Sequence, residues 1–166
     1  MTPEPMQVVK QRRDAALKAL EARIPYLRFI GVTMERRGDE LTALLNYKDT
    51  LIGNPMLPAL HGGVISGFLE CAALIELAWG PLWQRIESGA VTVEELRDPA
   101  TRLAMPRTID FTTDFLRAGL PRDAYARARV NRSGRRYASV HVEAWQDNRA
   151  RLFAQATGHF LMPQDG

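Results

Sequence analysis

At 166 residues, with 46% hydrophobic and 25% charged positions, the chain has an ordinary globular composition and a length that suits a single domain over 1–166. A single cysteine, Cys71, excludes an intrachain disulfide and a cysteine-built zinc cage, and no metal is expected. The formal charge is +3 and 19 of the 22 basic residues are arginine, yet no basic run exceeds two residues and no zinc-finger or RNA-recognition signature is present, so nucleic acid is not an expected partner.

In chain order, MTPEPMQVVKQRRDAALKAL lacks the apolar core of a secretory signal, which predicts a cytoplasmic protein. Pro5 suits a helix start, and Val9, Leu17, Leu20 and Ile24 recur at near-helical spacing, predicting an amphipathic helix over about 6–24. LRFIGVTMERRGDELTALLNYK reads as two strands joined at Arg37-Gly38-Asp39, and LIGNPMLPAL reads as a loop.

LHGGVISGFLECAALIELAWG, residues 60–80, is helical by length and by its Ala and Leu content, with Gly62-Gly63 at its start and Gly80-Pro81 at its expected end. It is apolar nearly all round, which predicts a buried central helix; its core, Val64 to Trp79, is short for a membrane span and carries two glutamates, so no membrane is expected. Thr92 and Glu95 form a capping box that opens a short second helix.

From Arg107 the pattern changes to period two. Small residues alternate with large or charged ones at Ala124, Ala126, Ala128 and Val130, then at Ala138, Val140, Val142 and Ala144, then at Ala154, Ala156 and Gly158. Such stripes let a helix approach a sheet closely. Turn residues at 131–134 and 146–148 predict an antiparallel meander, giving an α+β fold in which a curved sheet wraps one long helix.

The pieces HGGVISGFLE, RTIDFTTDFLRAG and NRSGRRYASVHVEA, in this order, resemble the hotdog-fold acyl-CoA thioesterases of the phenylacetate-degradation type. The resemblance covers about residues 27–162 and leaves the N-terminal helix as an addition. It implies that Glu70 is the catalytic carboxylate and that the Gly62 backbone N–H polarises the thioester carbonyl. It also implies that Asn54 assists upstream and that Thr108, at the start of the next strand, holds the attacking water. Asn54 lies one residue further from His61 than in the family pattern, and Leu74 stands where one branch carries threonine.

The residues support part of this independently. Phe68, Leu69, Cys71, Ala72 and Ala73 surround Glu70 with apolar neighbours, and a carboxylate in such a setting calls for a reason. Glu70 so placed is fit to activate water or to attack a thioester directly, giving a mixed anhydride. Gly62 and Gly63 open a helix whose free N–H groups suit an oxyanion. Eight helical residues separate Gly62 from Glu70, about 12 Å, so one carbonyl cannot touch both groups of one chain. A homodimer in which Glu70 of one subunit faces Gly62 of the other resolves this, as the resemblance also implies, with a dimer of dimers open.

Other residues receive plainer readings. Thr108 alternates with Asp110, Thr112 and Asp114, which places it on the polar face of its strand, a difficulty for a site role that a bulge or a dimer-edge position would remove. His61 is expected to shape the turn beside Gly63, at the substrate end of the helix, and Cys71 to be a small buried hydrophobe. Ser66 lacks the glycines of a nucleophile elbow. Glu76 lies on another face from Glu70 and reads as structural. Arg132, Arg135 and Arg136 flank a hairpin tip and are candidates for the phosphates of coenzyme A. Trp79, Trp83 and Met105 suit either an acyl pocket or the core.

The leading expectation is acyl-CoA hydrolysis with no cofactor beyond the coenzyme A of the substrate. A non-catalytic acyl-CoA-binding protein and a hydratase or dehydratase of the same fold are the alternatives.

Overall fold

The computed structural model describes residues 4–164. Helix α1 spans Met6–Ala22 and buries Ala16, Leu17, Ala19 and Leu20, close to the expected helix. A short helix α2, Pro25–Ile30, follows, with Pro25 in its first turn and Gly31 ending it at φ +85°. The first strand therefore begins at Val32 and not at Leu27: proline presets the first helical turn, and glycine takes the left-handed position that closes it. Strands β1, Val32–Arg37, and β2, Glu40–Leu45, form the expected hairpin across Gly38 and Asp39, with Gly38 at φ +63°.

The loop that follows contains a single 3-10 turn, Asp49–Leu51, and a two-stranded ribbon of β3, Ile52–Asn54, and β4, Ala59–Leu60. The long helix α3 then runs from Gly62 to Glu87, seven residues past the expected stop at Gly80. Pro81 removes one helical hydrogen bond, yet Leu82, Trp83 and Ile86 beyond it are buried, and their burial outweighs the local signal to stop. At 26 residues α3 is long and apolar enough to cross a membrane, so length does not decide the matter. Its burial on the sheet does: Phe68, Leu69, Ala73 and Ile75 are fully enclosed in the core. The capping box forms as expected and opens α4, Val93–Arg97.

Four long strands complete the sheet: β5, Arg107–Phe115; β6, Ala124–Ser133; β7, Tyr137–Trp145; and β8, Ala154–Leu161. The six main strands lie in the order β1-β2-β6-β7-β8-β5, every neighbouring pair antiparallel. Strand β6 extends to Ser133, so the hairpin tip falls at Gly134–Arg136, just beyond the expected turn. The small-residue stripes face α3 over most of their length: Ala124, Ala126, Val140, Val142, Ala144, Ala154 and Ala156 are buried, whereas Ala128 is half-buried and Val130, beside the register shift at the end of the first stripe, is exposed. Gly158 continues the third stripe, where a Cβ would lie 2.5 Å from Phe111, so its bare backbone lets Phe111 meet Phe160 edge-on.

Trp79 and Trp83 stack 6.0 Å apart beneath α1, with the Arg13 guanidinium 4.9 Å from the Trp83 ring. Met105 is partly buried against the same core, so all three residues serve packing.

Candidate active site

His61 caps α3. Its backbone is extended, its Nδ1 accepts the Gly63 N–H at 2.9 Å, and its own N–H donates to Leu51 O. This is the turn-shaping part expected of it, and it commits Nδ1 as an acceptor, so the ring proton resides on Nε2. Gly53 makes room for the turn, because a Cβ there would sit 2.9 Å from the His61 Cα. Only one of the two donors expected to be free is so: the Gly63 N–H is taken by the His61 cap and is not open to a substrate, and only the Gly62 N–H of the pair meets no acceptor among the described residues, at the positive end of the helix.

Two turns further along α3 is Glu70, half-buried and less enclosed than its apolar neighbours imply. The Thr108 hydroxyl donates to Glu70 Oε1 at 2.5 Å. Strict alternation would have turned Thr108 to the outer face, and the strand corrects this with a bulge. Thr108 pairs with Phe160 and Asp110 with His159, so Ile109 is the extra residue. Phe160 faces the core with no exposed surface, and the bulge turns Thr108 onto that same side. One turn before Glu70, the Ser66 hydroxyl donates to Thr113 Oγ1 at 3.0 Å, a second contact between α3 and β5 that periodicity did not reveal.

The helix is unbroken between Gly62 and Glu70, so the two groups are about 12 Å apart along its axis, as the spacing requires. Asn54 is not brought to Glu70 by any contact; its Oδ1 accepts the Met56 N–H at 3.0 Å within its own loop. Arg132, Arg135 and Arg136 are exposed at the tip of the β6–β7 hairpin and have no acidic partner among the described residues. Arg135 also borders a cavity of about 240 Å³ walled by Leu77, Leu82, Leu103 and Met162.

Burial pushes the Cys71 thiol up to about 12, with the Glu70 charge adding to the effect, so this sulfur stays protonated and inert near neutral pH. Burial likewise lifts Glu76 to about 7; it has no hydrogen-bond partner among the described residues and lies away from Glu70. The histidine–carboxylate pairs, His159 with Asp110 at 2.8 Å and His141 with Glu143 at 3.6 Å, involve sheet positions that alternate with the core stripes and make no contact with Glu70, although His141 and Glu143 line a cavity that Glu76 of α3 also reaches.

One neighbour of Glu70 carries a sequence signal that was not read. Gly67 sits inside the helix, where glycine costs stability unless another group must approach closely. The Tyr26 hydroxyl occupies that notch, 2.6 Å from where a Gly67 Cβ would stand.

A long helix cradled by a curved antiparallel sheet, with a carboxylate on the helix held by a strand hydroxyl, defines a hotdog-fold protein of the thioesterase class. A family model described as the acyl-CoA thioesterase N-terminal domain matches residues 54–161, and the chain belongs to that family of acyl-CoA thioesterases. It is similar to the medium/long-chain acyl-CoA thioesterase YigI of Salmonella typhimurium and to that of Escherichia coli K12, 29% identical over 140 residues in each case, covering 84% of this chain and 86% of the relative. Among solved structures, a Chromobacterium violaceum protein is 32% identical with a TM-score of 0.63, covering 95% of this chain and 98% of that one. A Shewanella oneidensis protein related to the thioesterase superfamily shares the fold at a TM-score of 0.70 and 24% identity, covering 91% and 97%.

Proposed function

We propose that this thioesterase is a cytoplasmic enzyme working as a homodimer, with each site assembled from Glu70 of one subunit and the Gly62 N–H of the other. The observation that carries the reading is the Thr108–Glu70 hydrogen bond: it orients a carboxylate whose own helix start, with its free Gly62 N–H, is out of reach. Strand β5 supports the dimer. It has a neighbour on one edge only among the described residues, and Ile109 and Phe115 on it are more than half exposed, an arrangement suited to pairing with a second copy. Pairing of two dimers is compatible with this arrangement.

In the reaction, Glu70 takes a proton from water as the water oxygen attacks the thioester carbonyl carbon. Negative charge builds on the carbonyl oxygen, where the Gly62 N–H and the helix dipole stabilise it. Collapse expels the coenzyme A thiolate, which recovers the proton. Direct attack by Glu70, giving a mixed anhydride that water then opens, uses the same groups. Arg132, Arg135 and Arg136 are suited to the phosphates of coenzyme A, and a Bacillus halodurans protein of the same fold has been solved with CoA. The name of the YigI relatives points to medium or long acyl chains as substrates.

The test is hydrolysis of a panel of acyl-CoAs of increasing chain length by the wild-type protein and by Glu70→Gln. The variant is expected to lose about a hundredfold or more in kcat, the scale of a general base. Full hydrolysis by Glu70→Gln would overturn the assignment, and tight binding of acyl-CoA by the wild type without turnover would show a binding protein.

A further inference from the structure

Tyr26 enters from α2, outside the elements that the motif pieces cover. The residue is 43% exposed, with its ring 6.1 Å from that of Phe29, while its hydroxyl end is pushed into the notch at Gly67. Helical side chains lean toward the N-terminus over the turn before their own Cα, which directs Glu70 back toward residues 66 and 67. On the Ser66 side stands β5, with Thr108 bonded to Glu70 Oε1 and Thr113 bonded to Ser66. On the Gly67 side stands Tyr26, whose hydroxyl has no hydrogen-bond partner among the described residues. Glu70 Oε2 likewise has no donor among them.

We infer that Tyr26 is a positioning residue for Glu70, the second of two hydroxyls that bracket the carboxylate, Thr108 holding Oε1 from the strand and Tyr26 steadying Oε2 from α2. The inference rests on the reading of Glu70 as the reacting carboxylate. An acid held from one side only is free to turn about its last torsion, and a donor on the other side removes that freedom without adding a charge. Gly67 is part of the device, since any side chain at this position would displace the phenol. The neighbourhood is visible in the phenol itself: burial, the Cys71 thiol and the Glu70 charge all push its ionisation above the ordinary range, so at neutral pH it stays protonated and able to donate.

The experiment compares Tyr26→Phe, Gly67→Ala and Glu70→Gln as full-length proteins, with kcat and KM on the best acyl-CoA and the thermal midpoint measured for each. Tyr26→Phe keeps the ring and removes only the hydroxyl. It is expected to lower kcat about tenfold, the scale of one hydrogen bond to a charged group, with KM changed less than about twofold and the midpoint unmoved. Gly67→Ala is expected to reproduce the kcat loss by pushing the hydroxyl out of the notch. A role confined to packing would lower the midpoint and leave kcat per folded molecule intact. If Glu70→Gln abolishes turnover while Tyr26→Phe keeps the wild-type kcat, Tyr26 has no part in positioning Glu70. If Glu70→Gln is fully active, the reading of Glu70 itself has failed.

Discussion

Thr108 reaches Glu70 because Ile109 is bulged out of the β5–β8 ladder, so a hydroxyl that alternation assigns to the outer face is delivered to the helix. Thr108→Ala is therefore expected to lower kcat/KM by about ten- to a hundredfold, the cost of one charge-assisted hydrogen bond, while Thr108→Ser retains most of the activity. Steady-state kinetics on one acyl-CoA checks it. Equal losses in both variants would mean that the methyl group matters and not the hydroxyl.

The shared-site reading makes a sharper demand. Gly62→Pro removes the N–H at the first helical position, where proline is tolerated, and leaves Glu70 untouched. Gly62→Pro and Glu70→Gln are each expected to be inactive alone. A mixed dimer of the two variants contains one site with both defects and one intact site, so about half of the wild-type activity returns if the sites are shared across two subunits. Activity that stays absent in purified mixed dimers would place both groups in a single chain.

His61 caps the helix through Nδ1, which cannot also serve as a base. His61→Ala is expected to cost about 1 kcal/mol of stability, read by denaturant unfolding, while His61→Asn keeps a capping oxygen and most of both stability and turnover. A large kcat loss in His61→Asn with stability intact would assign the ring a chemical role.

Glu76 makes stability depend on pH. Its carboxyl is raised by burial from the ordinary 4.5 to about 7, beside a cavity of about 190 Å³ that Glu40, Arg127, Arg129, His141, Glu143 and Arg149 also line. The folded state holds this proton more tightly than the unfolded state does. Its stabilising effect is complete below about pH 4.5 and falls as the pH rises to about 7, where the folded carboxyl ionises. Glu76→Gln stays neutral throughout, so its thermal midpoint is expected to rise relative to wild type on going from pH 5 to pH 8. A constant offset between those two pH values would contradict the assignment.

Much of this architecture is legible in the chain because its determinants are local or periodic. The stripes at Ala124, Ala138 and Ala154 announce a sheet that admits a helix, and the Thr92–Glu95 box forms as written. Glu70 stands out because a carboxylate in an apolar run is costly. What was not legible depends on partners distant in sequence. Nothing around Pro81 shows that Trp83 and Ile86 will be buried and carry the helix past it. Nothing in RTIDF marks Ile109 as the bulge, since the extra residue is defined only against β8. Tyr26 was hidden for the same reason, although an unexplained glycine inside the helix at 67 left a visible trace.

The stretch of α3 from Gly62 to Glu70 acts as a ruler. If the sites are shared as proposed, one rigid rod carries the oxyanion donor of one site and the carboxylate of the other, and the spacing of two reaction centres is then fixed by a single length of helix. Pro81 interrupts the hydrogen-bond ladder only at the Leu77 carbonyl, beyond both marks, which leaves the measured part straight. Inserting or deleting a single residue between Gly62 and Glu70 would thus detune both centres together, whereas changes past Pro81 can accumulate without touching either.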